Sequence, residues 1–175
     1  MVLLTSEDFI KEISNISDNI SGKFLRPAMR ETQDIDLQGV LGSRLYTVLK
    51  GMVDDDTIMN EENTYFKQLL DESQYFLAYG TIARLCLLTS YKLSNYGVSI
   101  TNDEHINAPS FKEIIDMQDT YINKADFYKK RLQEWILNNR ENFTDYLSDC
   151  DCKKIESNLY SAATCGLFLG GARGK

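Results

Sequence analysis

An all-α fold, an antiparallel helical bundle with one short extended segment and an extended C-terminal tail, follows from three features of this 175-residue sequence. Apolar residues recur at three- and four-residue steps over long stretches. Only two prolines occur, Pro27 and Pro109, so little breaks a helix. Hydrophobic residues make up 43% of the chain, which rules out disorder by composition and is enough for one packed domain of this length.

The elements read as follows. Thr5, Ser6 and Asp8 offer N-cap chemistry ahead of Phe9, Ile10, Ile13, Ile16 and Ile20, which together form one apolar helix face ending at Ser21-Gly22. Pro27 suits the first turn of a second helix, running through Met29 and Thr32 towards Ile35. Leu37, Val40, Leu41, Leu45, Val48 and Leu49 form the next stripe, and Gly39 and Gly42 interrupt it with a bend or a close helix contact. Residues 51–63, rich in Asp and Asn, read as a loop.

Thr64 or a nearby residue opens a long helix whose apolar positions include Tyr65, Phe66, Leu69, Leu70, Phe76, Leu77, Ile82, Leu85, Leu88 and Tyr91. Between Tyr75 and Leu88 they spread around most of the helix, so this helix is expected at the centre of the bundle. Asn95-Tyr96-Gly97 breaks it, and residues 98–101 alternate as a short strand does. After a loop to Pro109, Ser110 caps the last long helix, with a face of Phe111, Ile114, Ile115, Tyr121, Ile122, Ala125, Tyr128, Leu132, Trp135 and Ile136. The pattern predicts a helical domain over 1–145 and a C-terminal arm over 146–175.

Charge and composition narrow the function. The formal charge is −7, which disfavours bulk attraction to DNA phosphates or to an anionic membrane. The N-terminus lacks a basic region before its apolar residues, and the Tyr75–Leu88 stretch, interrupted by Arg84, is too short to span a bilayer. Synthesis in the cytoplasm is the expectation. No acidic side chain follows Glu156, so the end of the chain is mildly cationic on an acidic body.

Each candidate chemical motif has a plainer reading. Asp54-Asp55-Asp56 with Asn60, Glu61 and Glu62 lacks the alternation and the glycine of a calcium loop, and reads as a solvated loop before a helix N-terminus. Cys150, Cys152 and Cys165 lack the two-residue spacer usual in zinc sites, and Cys86 reads as a small core residue, so packing outweighs metal or redox chemistry. His105, the only histidine, sits beside Asp103 and Glu104 with no nucleophile context. Gly170-Gly171-Ala172-Arg173-Gly174-Lys175 has the look of a P-loop but lacks its strand, its Ser/Thr and its following helix. No catalytic residue, metal or cofactor is predicted. Leu167, Phe168 and Leu169 are three large apolar residues in a glycine-rich tail, and with Gly170, Gly171, Arg173 and Lys175 they read as a docking arm for a partner surface. Among ten tyrosines, eight phenylalanines and one tryptophan, most are expected in the core and some at contacts between subunits.

The order of elements, with Leu41-Gly42-Ser43-Arg44-Leu45-Tyr46, Ala83-Arg84, the Gly97–Thr101 turn and Trp135-Ile136-Leu137-Asn138-Asn139, resembles the small helical head–tail connector (adaptor) proteins of tailed bacteriophages, in particular those of Bacteroides-type hosts and the crAss-like group. The "LG-x-x-LY" motif maps onto Leu41, Gly42, Leu45 and Tyr46. The resemblance covers about residues 5–145 and leaves out the cysteine-rich segment and the tail. It implies a non-enzymatic virion protein, made in the host cytoplasm and placed at the head–tail junction. It implies a ring of identical subunits, on the order of twelve, seated on the portal protein. Such a ring extends the DNA channel, offers a platform to tail proteins, and passes genomic DNA without sequence-specific contacts. The C-terminal arm would reach the portal. A helical adaptor or regulator binding a single protein partner is the alternative, and a metal-dependent enzyme using the acidic loop and cysteines is a third.

Overall fold

The structure is a computed structural model that describes residues 2–14, 16–94, 97–100, 110–147 and 152–157. The fold is all-α with one small hairpin. Its helices are α1 (Glu7–Glu12), α2 (Gly22–Glu31), a π-helical segment (Thr32–Leu37), α3 (Gln38–Leu41), α4 (Ser43–Asp54), α5 (Thr64–Ser90) and α6 (Phe111–Asn138). Short 3₁₀ turns cover Thr57–Met59, Glu61–Asn63 and Arg140–Phe143, and residues 152–157 are helical.

The long pair α5 and α6 is the frame. Their partners run in opposite directions: Glu72 meets Arg131, Tyr75 meets Tyr128, Tyr79 meets Tyr121, and Ala83 meets Gln118. The two helices are therefore antiparallel, as the periodicity predicts. Ser110 caps α6 in a full capping box with Glu113, and its hydroxyl and backbone N–H hold the Glu113 carboxyl below the usual carboxylate range. Thr64 opens α5, also as predicted.

The central position of α5 explains why its apolar residues point all round. Phe66, Leu69, Phe76 and Leu77 join one core with Leu41, Leu45 and Leu49 from α3 and α4 and with Leu132 and Ile136 from α6. Ala78, Ile82 and Leu85 join a second core with Ile10, Leu25, Ala28 and Met29 from α1 and α2. Each fully buried leucine here contributes about 1.5–3 kcal/mol. Tyr65, Leu88 and Phe111, which fall on the predicted stripes and sit at or near helix ends, are instead exposed.

Several local boundaries depart from the periodicity. The first helix stops at Glu12, and Ser14 turns its hydroxyl back onto the Ile10 carbonyl, an alternative to continuing the helix. Ile13, Ile16 and Ile20 still pack on the second core without being helical. Ser21 starts α2 rather than ending α1, since its hydroxyl accepts from Lys23 N. Pro27 thus lies inside α2 rather than in its first turn, and gives up one backbone hydrogen bond there. Gly39 does not interrupt its helix; Gly42 does, with φ 77° and ψ 158°. Residues 51–63 are not one loop: α4 runs to Asp54 and two 3₁₀ turns follow, anchored by buried Ile58. Helix α5 ends at Ser90, and Tyr91–Ser94 pairs antiparallel with Gly97–Ile100, Ser94 opposite Gly97. The predicted extended segment is therefore half of a tight hairpin, whose first strand the apolar stripe of α5 had absorbed.

The packed body continues past residue 145. Leu147 and Ile155 are both buried in the first core, and Tyr146 and Cys152 pack against it.

Candidate interaction surfaces

The π-helical segment organises one side of the molecule. Its wider turn sends successive side chains to different elements, and such segments concentrate at functional sites. Thr32 packs on the α5 backbone, where Gly80 leaves room: a Cβ at position 80 would lie 2.7 Å from the Thr32 methyl. Gln33, buried, accepts from Leu4 N at 3.0 Å and donates to Val2 O at 3.2 Å, while Gln74 donates to Leu4 O at 2.8 Å. Two glutamines thus hold the N-terminal residues against the bundle.

Asp34 accepts from the Tyr46 hydroxyl and from Lys50 Nζ, the latter at 3.2 Å. The Leu41, Gly42, Leu45 and Tyr46 motif is the corner that places this tyrosine. Leu41 and Leu45 are fully buried, Gly42 makes the turn, and Tyr46 returns to the π segment. Burial by itself would raise the Asp34 carboxyl, but the Tyr46 hydroxyl and the Lys50 ammonium outweigh it and hold the group below its usual range. Burial, then the Asp34 hydrogen bond and charge, push the Tyr46 hydroxyl well above its ordinary value. For the depressed carboxyl, the stabilising contribution is present above the unfolded value, near pH 3.9, and is lost as pH falls through the folded value. For the raised phenol it is present below about pH 10 and lost above that. Asp34→Asn is therefore expected to be less stable than the parent at neutral pH and to converge with it below about pH 4 in urea unfolding. A constant difference across that range would show that the carboxylate charge is not what holds the corner.

Asp36 faces the other way, onto α5. One terminal nitrogen of Arg84 donates to both of its carboxylate oxygens, at 2.9 and 3.0 Å, and the other reaches Glu31 at 3.4 Å. This half-exposed cluster is worth at most ~1 kcal/mol, so its main consequence is positional. It sets one wall of a groove of about 300 Å³ between the π segment, α5 and α6. Phe76, Gly80, Ile122 and Ala125 give the groove an apolar floor, and Asp36, Arg84, Asp126 and Lys129 give it a charged rim.

The opposite flank of the α5–α6 seam is aromatic. Tyr79 stacks with Tyr75, Tyr121 and Tyr128, at centroid distances of 6.4, 6.4 and 5.5 Å, and Tyr75 stacks on Tyr128 at 4.9 Å. Lys124 caps the ladder, 5.3 Å from the Tyr79 centroid and 5.0 Å from that of Tyr121. Burial, with the neighbouring phenols, raises the Tyr79 hydroxyl. Phe9 meets Tyr75 edge-on and so ties α1 to the seam. Beside the ladder Phe127 is 64% exposed and touches only the edge of Tyr128 among the ring contacts of the described residues.

The structure places the motif residues Leu41, Gly42, Leu45 and Tyr46 together. The predicted docking-arm residues Leu167, Phe168, Leu169, Gly170, Gly171, Arg173 and Lys175 lie outside the described residues, as do His105, Cys150 and Cys165. Cys86 is buried and its thiol is pushed up by that burial, consistent with the core role read from the sequence. Asp54, Asp55 and Asp56 close α4, with Asp56 in the left-handed region, and no metal-sized cluster of ligands occurs among the described residues. Nor, among those residues, is any helix long and apolar enough to cross a membrane. Sequence reasoning missed the groove. Its only signal was the pair Asp34 and Asp36 between two apolar stripes, and that signal means nothing until the wide turn points the two carboxylates to different helices.

Neither the curated proteins nor the solved structures give a match to this chain. A family model matches residues 37–156, that of a family of unknown function, DUF6712.

Proposed function

The chain belongs to the DUF6712 family, and we propose that it is a structural virion protein: one subunit of a head–tail connector ring attached to the portal of a tailed bacteriophage. The ring extends the DNA channel and gives tail proteins a platform. The reading needs no catalytic group, metal or cofactor.

One observation carries it most: the α5–α6 pair has two unlike flanks, a groove with a charged rim and an aromatic ladder bordered by exposed Phe127. A cyclic assembly of identical subunits is built from heterologous contacts, which need two different, complementary surfaces on each copy. The resemblance at Leu41, Gly42, Leu45 and Tyr46 supports the same reading, since those residues form one rigid corner of the body. The net charge of −7 suits a conduit that DNA slides through without sticking. In this reading residues Leu167–Lys175 are the arm that reaches the portal.

The test is the native mass of the full-length protein, alone and mixed with the portal of the same phage. A large discrete ring, or a complex that forms only with the portal, is the expected result. A monomer or twofold dimer that ignores the portal would overturn the connector reading in favour of a helical regulator with a single protein partner.

A further inference from the structure

We propose that Phe127 of one copy of this chain seats in the groove between the π segment, α5 and α6 of a second copy. This is a head-to-tail contact, and it rests on the ring reading above by naming the surfaces that would join the ring.

The argument begins with Phe127 itself. It is the most exposed phenylalanine among the described residues, at 64%, and it stands mid-helix rather than at a frayed end. Its helical neighbours at i−3, i+3 and i+4 are Lys124, Lys130 and Arg131, so the ring is an apolar knob in a cationic surround. Arg131 is engaged by Glu72 and Lys124 by the tyrosine ladder. Lys130 is exposed and has no ion-pair partner among the described residues.

The groove is the complement. A cavity of roughly 150 Å³ lined by aliphatic and aromatic side chains holds benzene, and this one is about 300 Å³. Its floor of Phe76, Ile122 and Ala125 includes Ile122 at 39% exposure, a large apolar residue left uncovered inside a concave site. On the rim, Asp36 and Glu31 set two negative charges against the one positive charge of Arg84, and Asp126 and Lys129 both stand without an ion-pair partner among the described residues, so the rim keeps a net negative charge. A cationic knob therefore meets a site with acid to offer.

Geometry decides between a ring and a pair. Ile122 and Phe127 are five residues apart on α6, which at ~100° per residue puts them about 140° apart around the helix. Knob and groove thus face nearly opposite ways. Two copies cannot satisfy both at once across one twofold axis, but a chain of copies can, and this is the heterologous type of contact from which rings are built.

The experiment uses full-length Phe127→Ala and Ile122→Glu, each checked by circular dichroism, in native mass measurement under the conditions where the parent assembles, with the portal present if the parent requires it. Each variant alone is expected to lose assembly, with self-association weakened about 30-fold or more, as for a central aromatic anchor. Mixed in equal amounts, the two are expected to form a one-to-one heterodimer and nothing larger, because only one of the two possible contacts keeps both an intact knob and an intact groove. Assembly of either folded variant at parental strength, or a mixture that stays monomeric, would overturn the contact while leaving a parental ring standing. A parent that forms neither a ring nor a portal complex would overturn the ring reading, and this contact with it.

Discussion

Gly42→Ala is expected to lower stability by about 1–3 kcal/mol, seen as a fall in melting temperature of roughly 2–12 °C for a chain of this size. Gly42 has φ 77° and ψ 158° and joins α3 to α4. An L side chain in that region meets its own carbonyl, so the site is in practice reserved for glycine. The chain can relieve the clash only by opening the corner, and the corner is what sets Leu45 in the core and Tyr46 on Asp34. Gly39→Ala is the control. It lies in α3 with open space where a Cβ would stand, and alanine favours a helix over glycine by about 1 kcal/mol. That variant should be neutral or slightly stabilised. Equal melting temperatures for the two variants would show that the turn at residue 42 carries no special constraint.

The second large effect is where the start of the π segment meets α5. Gly80→Ala would place a methyl 2.7 Å from the Thr32 methyl, well inside contact distance, with Thr32 fully buried. Two terms oppose each other. Alanine improves helix propensity by about 1 kcal/mol, and overpacking a tight crossing costs about 1–3 kcal/mol. The crossing wins, and a net loss of stability is expected. Thr32→Ser tests the cause. It removes the offending methyl but keeps the hydroxyl that donates to Ala28 O at 2.9 Å. Alone it should cost about 0.8 kcal/mol for the lost methyl. In its background Gly80→Ala should turn from destabilising to neutral or better, measured by chemical denaturation. Additive losses in the double variant would mean that the two residues do not meet as described. The same variants report on the groove, because the close crossing at Gly80 is what brings Asp36 within reach of Arg84.

What was legible in the sequence was whatever depends on local periodicity and caps. The 3.6-residue spacing marked α5 and α6, Thr64 and Ser110 marked their starts, and apolar residues all round α5 marked it as the central helix. The Gly42 corner was half legible: glycine announced a bend, but Gly39 announced one equally well, and only the backbone dihedral separates them. Short elements were read less well because the same apolar residues serve either helix or loop. Ile13, Ile16 and Ile20 pack on the second core whether or not the chain there is helical, so their spacing did not reveal that α1 ends at Glu12.

By itself, then, the sequence determined the all-α class, the frame of two long helices and the acidic character of the chain. The tertiary structure alone decided the surfaces. A one-residue widening of the helix at Thr32–Leu37 has no signature in hydrophobic spacing, yet it turns Asp34 to Tyr46 and Asp36 to Arg84. The spacing on α6 put Ile122 on the apolar face and left Phe127 off it, yet both are exposed. Whether each lies in a groove or on a bare flank depends on which neighbours α5 and the π segment bring to α6, and those neighbours are set by contacts between residues far apart in the chain.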